Sequence, residues 1–122
     1  VSASGGPCPP GGAAAPRYDA VVTGGTLGIL AATALQRRGY KVAVVERGEV
    51  RGREQDWNIA RSELAVLVEF GVLAAEELEE AIVAEWNPVR VAFRGSEPIY
   101  VSDVLNVGVS PAVLVDAARR NF

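Results

Sequence analysis

The sequence contains no histidine and no methionine, and Cys8 is its only cysteine. A lone cysteine excludes an internal disulfide, and without histidine neither a structural zinc site nor a His-assisted nucleophile can be assembled. Ser-His-Asp and Cys-His catalysis are therefore excluded, and no metal site is expected. Long apolar runs are also missing. The longest uncharged run, Ala20 to Gln36, is shorter than the about 20 residues of a membrane-spanning helix and is interrupted by Gly24-Gly25. Lysine is nearly absent, Lys41 being the one cation of 12 that is not arginine; against 15 acidic residues the formal charge is -3. That balance gives no electrostatic footprint for nucleic acid or anionic lipid. The arginine excess suits phosphate recognition through a planar fork. A GC-rich genome accounts for it as well. What remains, 49% hydrophobic and 22% charged over 122 residues, is the composition of one soluble globular domain. A first residue other than methionine points to a processed product or a fragment.

Residues 1–16 carry no charge and consist almost entirely of Gly, Pro, Ala and Ser. Such a segment offers too little apolar side chain to offset the entropy of ordering, so a disordered leader is expected. An acid-free stretch of this kind before a strong strand also fits the remnant of an organellar transit peptide. A plain linker in a soluble intracellular protein fits equally.

From Tyr18 the pattern sharpens. Tyr18 to Val22 is a short apolar run of strand type, followed directly by the turn Thr23-Gly24-Gly25-Thr26-Leu27-Gly28. Leu27, Leu30, Ala31, Ala34 and Leu35 then fall on one helix face, and Arg37, Arg38 and Gly39 supply its basic end and its stop. Lys41 to Glu46 reads as a second strand. The order predicts a right-handed βαβ unit with parallel strands, the start of an α/β, Rossmann-like dinucleotide-binding domain. In such a unit a glycine-rich turn lets backbone N–H groups approach a pyrophosphate, and the helix N-terminus adds partial positive charge. Glu46, at the end of the second strand, is positioned to accept hydrogen bonds from a ribose 2′-OH and to repel a 2′-phosphate. FAD or NAD is therefore expected over NADP.

Against the G-x-G-x-x-G pattern the first glycine is Thr23, which has poor access to positive φ, so either the turn differs or Gly24 takes the bend. A glycine turn that only packs a helix on a strand is the competing reading. A second alignment, Thr23-Gly24-x-x-x-Gly28-Ile29-Leu30, resembles the T-G-x-x-x-G-I-G turn of short-chain dehydrogenases, with Leu30 in place of the last glycine. Neither the Asn-Asn-Ala-Gly segment nor the Tyr-x-x-x-Lys pair of that family follows.

Downstream, a polar loop containing Arg51, Arg53 and Trp57 leads to a helix expected over 62–70 with Ser62 as its N-cap, stopped by Gly71. Another helix is expected over 74–83. Val89 to Phe93 and Pro98 to Val101 read as a hairpin across Arg94-Gly95-Ser96-Glu97, and Ser110-Pro111 opens a last helix running to about Arg120. The acidic run Glu76, Glu77, Glu79 and Glu80 alternates with Leu78, Ala81 and Ile82 at helical spacing, as a solvated helix face does.

Tyr18-Asp19-Ala20-Val21-Val22 before the turn, Val44-Val45-Glu46-Arg47 after it and Asn58-Ile59-Ala60-Arg61 further on together resemble the N-terminal FAD-binding part of flavoprotein oxidoreductases. The similarity is to the lycopene cyclase and geranylgeranyl reductase-like proteins of plants and algae, which share a fold with aromatic hydroxylase-type monooxygenases; together with the leader it implies a chloroplast. It covers 17–122 and implies an incomplete domain, with a helical insert and a hairpin added to the βαβ unit. It also implies that Thr23, Gly24, Gly25, Thr26, Leu27 and Gly28 hold the FAD pyrophosphate, that Glu46 takes the ribose and that Arg47 lies on the adenine side. Arg61, leading its helix, would reach back to the cofactor; a surface ion pair with Glu63 or Asp56 is the competing role. Arg53 is a weaker candidate. Trp57 and Trp86 read as core or rim packing, or as a cover for the cofactor edge. No catalytic side chain is nominated. The flavin would carry the redox step, with a small-molecule substrate handled elsewhere, and this stretch alone would be inactive. A non-catalytic nucleotide-binding or assembly module is the remaining alternative.

Overall fold

The structure, a computed structural model, describes residues 16–122. The expectations of a disordered leader and a transit-peptide remnant, the latter one of the grounds for a chloroplast location, fall on residues outside this range, Pro16 excepted.

β1 (Ala20–Thr23) runs into the glycine turn, α1 (Gly28–Arg37) follows, and β2 (Val42–Val45) returns beside β1. The two strands pair in parallel, Ala20 opposite Val42 and Thr23 opposite Val45. This is the βαβ unit the sequence predicts. The helix starts from Leu27 as N-cap, without a side-chain cap, and ends where Arg38 N–H and Gly39 N–H donate to Leu35 and Gln36 carbonyls at 3.0 and 2.9 Å. Asp19 anchors the entry to β1 by accepting the Lys41 N–H at 2.7 Å.

The second layer departs from the sequence reading, which expects none of its three strands. β3 (Trp57–Ile59) lies in what reads as a polar loop, and β4 (Ile82–Glu85) begins where helix is expected to continue. Both pair antiparallel with β7 (Val107–Val109), giving the strand order β3-β7-β4. β7 is the middle strand and all three of its residues are buried. Gly108 sits under the Trp86 ring, where a Cβ would meet the indole at 3.4 Å. The helix expected over 74–83 is α3 (Ala75–Ala81), because the backbone turns extended at Ile82 and the Ala81 carbonyl accepts the Ser110 N–H at 2.8 Å.

α2 (Arg61–Glu69) starts one residue before the expected cap. The cap position is Ala60, not Ser62, because the Glu63 carboxylate reaches back to accept the Ala60 N–H at 3.0 Å and so fixes the first turn. Glu77 does the same for Ala74 at the head of α3, at 2.9 Å. The expected hairpin is present as β5 (Val89–Val91) against β6 (Ile99–Val101). α4 (Pro111–Asn121) carries proline in its first turn, and its N-cap Ser110 accepts the Val113 N–H through Oγ.

The core gathers between these layers. Ile29 and Ala32 of α1, Leu64 of α2, Leu78 and Ala81 of α3, Val107 and Val109 of β7 and Leu114, Val115, Ala117 and Ala118 of α4 are all buried. α4 packs on both α1 and α3. The buried Thr33 spans the α1–α4 seam: its hydroxyl lies 2.8 Å from the Ile29 carbonyl oxygen and 3.1 Å from that of Ala118. No helix among the described residues is long and apolar enough to cross a membrane.

Candidate functional site

The turn between β1 and α1 is shaped by contacts that only glycine permits. Gly24 lies at φ +90 and takes the bend, so Thr23 remains ordinary strand backbone. Its N–H donates to the Val45 carbonyl at 2.9 Å, which ties the turn to β2. At Gly25 a Cβ would stand 2.6 Å from Val50 Cγ2, and at Gly28 2.7 Å from Val22 Cγ1. Neither distance is tolerable for a carbon pair, so both residues set how closely the loop and the helix approach.

Glu46 follows β2 and turns back over this loop. Its Oε2 accepts the Gly25 N–H at 2.7 Å, and its Oε1 accepts the N–H groups of Arg47 at 2.7 Å and Gly48 at 3.3 Å. These backbone donors, Gly25 foremost, hold the carboxyl below its ordinary value of 4.5. It is therefore a carboxylate at neutral pH, with lone pairs left over to accept from another donor. The backbone N–H groups of Thr26, Leu27 and Gly28 have no backbone acceptor among the described residues. They open the N-terminal end of α1, as an anion cradle requires.

A depression of about 490 Å³ is formed by Thr23 to Gly28 together with Glu46, Arg53 and Trp57. A second of similar size adjoins it, sharing Thr26, Glu46 and Arg53 and extending along Glu49 to Gln55. Seven of the nine residues expected at a cofactor site thus form one neighbourhood: the six turn residues line the first depression and Glu46 lines both. Arg47 adjoins them through its backbone, and its side chain is exposed. Arg61 is elsewhere. Its guanidinium pairs with Glu79 and Glu85, and its backbone N–H donates to Asn106 Oδ1 at 3.1 Å. Neither Glu63 nor Asp56 is its partner.

In the place expected for Arg61 stand Arg53 and Trp57. Sequence reasoning rates Arg53 low because loop arginines ordinarily point to water; Trp57, read first as packing, does pack against the core and lines the depression as well. The signal for both was their nearness to the second strand's end, which the intervening loop disguises. The site holds hydrogen-bond donors, a carboxylate, a guanidinium and an indole. That set can bind a phosphorylated, hydroxyl-bearing ligand, and it contains no pair of groups arranged for acid–base or nucleophilic catalysis.

No protein-family model matches this sequence, and no curated protein matches it. Among solved structures, the fold is similar to that of a "putative FAD containing monooxygenase" from Photorhabdus luminescens subsp. laumondii TTO1, with a TM-score of 0.60 and 21% sequence identity. The match covers 85% of this chain and 28% of that one. The chain therefore has the fold of the N-terminal part of such a protein, a parallel β1-α1-β2 unit joined to antiparallel sheets. The chain spans just over a quarter of the length of the structure it matches.

Proposed function

We propose that this chain binds the ADP moiety of FAD and is the N-terminal portion of a flavin-dependent oxidoreductase. The observation that carries this reading is the junction of turn and carboxylate. Three N–H groups without an acceptor among the described residues open beside a glycine turn whose neighbouring strand ends in an ionised Glu46. The residues fit the group: the turn is open at Gly24, where a Cβ would meet nothing within 4 Å and a phosphate can approach the backbone, and Glu46 retains acceptor capacity for ribose hydroxyls.

In this reading the amides of Thr26, Leu27 and Gly28 face the pyrophosphate, with Thr23, Gly24 and Gly25 shaping the turn around it. Glu46 accepts from the adenosine ribose and Arg47 lies on the adenine side. Arg53, sharing the depression, adds a positive charge for the phosphates. Trp57 closes the same side with an aromatic face. Bound FAD supplies the redox chemistry, and the chain supplies binding and orientation. The short-chain-dehydrogenase-like NAD reading is disfavoured because the chain leaves β2 directly for an antiparallel sheet, β3-β7-β4, whereas the resemblance to that family ends with the turn and first helix.

Calorimetric titration tests the proposal. The protein is expected to bind both FAD and ADP, and Glu46→Gln is expected to weaken ADP by about tenfold, since hydrogen bonds to charged groups have that size. Binding of NAD without binding of FAD would transfer the assignment to the dehydrogenase-like reading. Binding of none of the three would leave a module with no nucleotide function.

A further inference from the structure

Resting on the dinucleotide reading, we propose that Gly52 is a positioning residue for the glycine turn, acting through a loop that α4 holds in place. The loop after Glu46 makes contacts in two directions. Toward the turn, Val50 fills the space beside Gly25, where a Cβ would meet its Cγ2 at 2.6 Å. The Thr26 hydroxyl donates to the Arg51 carbonyl at 3.2 Å. Toward the last helix, Gly52 lies directly on the α4 backbone: a Cβ there would overlap the Pro111 carbonyl and the Ala112 nitrogen. Glu49 faces Arg119 near the other end of the same helix, at 3.9 Å. The loop thus runs along α4, with its next residue, Arg53, in the depression beside the turn.

The joint at Gly52 is the unyielding one. A flexible side chain in the way of a Cβ moves aside, but the atoms met at Pro111 and Ala112 are backbone in the first turn of a helix anchored in the core by Leu114, Val115, Ala117 and Ala118, and Pro111 is itself buried. Any side chain at 52 therefore displaces the loop and not the helix. Val50, the Arg51 carbonyl and Arg53 sit within two residues of that point, so they move with it. The turn then loses the wall beside Gly25 and the acceptor for Thr26. The ion pair at Glu49 is exposed and contributes little to this registry.

The test compares the wild type with Gly52→Ala and Thr26→Val by two measurements: ADP affinity, and amide hydrogen exchange without ligand. In Gly52→Ala the Gly25 amide is expected to exchange at least tenfold faster, β1–β2 ladder amides are expected to keep their rates, and ADP affinity is expected to fall tenfold or more. Thr26→Val, which leaves the α4 joint intact, is expected to shift both in the same direction by a smaller factor, and it carries the test if Gly52→Ala does not fold. Unchanged Gly25 exchange overturns the inference. So does a uniform acceleration at all amides, the sign of a merely structural role. If the wild type binds neither ADP nor FAD while Gly52→Ala still speeds Gly25 exchange selectively, the positioning stands and the nucleotide reading falls.

Discussion

Replacing Gly28 by Ala tests the packing role of the turn's last glycine apart from any ligand. The new Cβ would lie 2.7 Å from Val22 Cγ1, about 1 Å inside the distance at which carbon pairs attract. Overpacking of this degree costs about 1–3 kcal/mol. Alanine recovers part of that as helix propensity, up to about 1 kcal/mol in a helix interior and less at the first helical position. The net expectation is a loss of about 1–2 kcal/mol, read as a lower urea midpoint with unchanged slope. Val22→Ala alone removes two partly buried methyl groups and is expected to cost about 1 kcal/mol. Because it also removes Cγ1, the double variant should be no less stable than Val22→Ala by itself. The cycle then shows a coupling of about 1–2 kcal/mol in favour of the pair. Additive losses, or a Gly28→Ala protein more stable than the wild type, would refute the claim that this glycine exists for close helix–strand approach.

Three other outcomes follow from the geometry. Thr33→Val is expected to cost only about 1 kcal/mol in denaturant titration, because the Ala118 carbonyl still accepts the Phe122 N–H at 3.0 Å and is not left unpaired; a loss several times larger would contradict this. Backbone N–H groups hold Glu46 and Glu77 below 4.5, with Asn121 and then Arg120 adding to the Ala74 bond at Glu77, and Arg119 and Arg120 hold Asp116 below 3.8. Depressed carboxyls stabilise the fold above those ordinary values and lose that contribution as pH falls through the lowered ones. Thermal melts should therefore be level above about pH 5 and decline below it, with a shallower decline in Glu77→Gln; a melting temperature that rises on acidification would reverse the sign argued here. Arg61→Ala should leave ADP affinity within about twofold and stability within about 1 kcal/mol, since its partners Glu79 and Glu85 are exposed; a large affinity loss would return Arg61 to the site.

What was legible in the sequence was what depends on neighbours along the chain. The β1-turn-α1-β2 unit follows from β-branched runs, one helical apolar face and a glycine at each bend, and Ser110-Pro111 marks the start of α4 by local chemistry alone. β7 escaped because three residues with Gly108 at the centre carry no strand signal, and the Trp86 ring that lies over the glycine comes from another part of the chain. β4 escaped because Leu78, Ala81 and Ile82 keep helical spacing across the point where pairing with β7 extends the backbone. The same non-local pairing decided the site. β3 brings Trp57 to the turn, the loop lying on α4 carries Arg53 there, and Arg61 is drawn off by Glu79 and Glu85. None of these contacts has a signature within a window of a few residues.

The central position of β7 has a consequence for how the chain acquires its shape. β3 and β4 pair with β7 and not with each other, so residues 57–59 and 82–85 have no sheet to join until 107–109 are available. During synthesis both strands wait with bare edges while the intervening chain emerges. The core on α1 also waits for α4, the element that follows β7 directly. Folding of this region is therefore governed by closure of long loops and is expected to be slow. The interval before Val107 to Val109 arrive is when the molecule is most exposed to edge-to-edge aggregation.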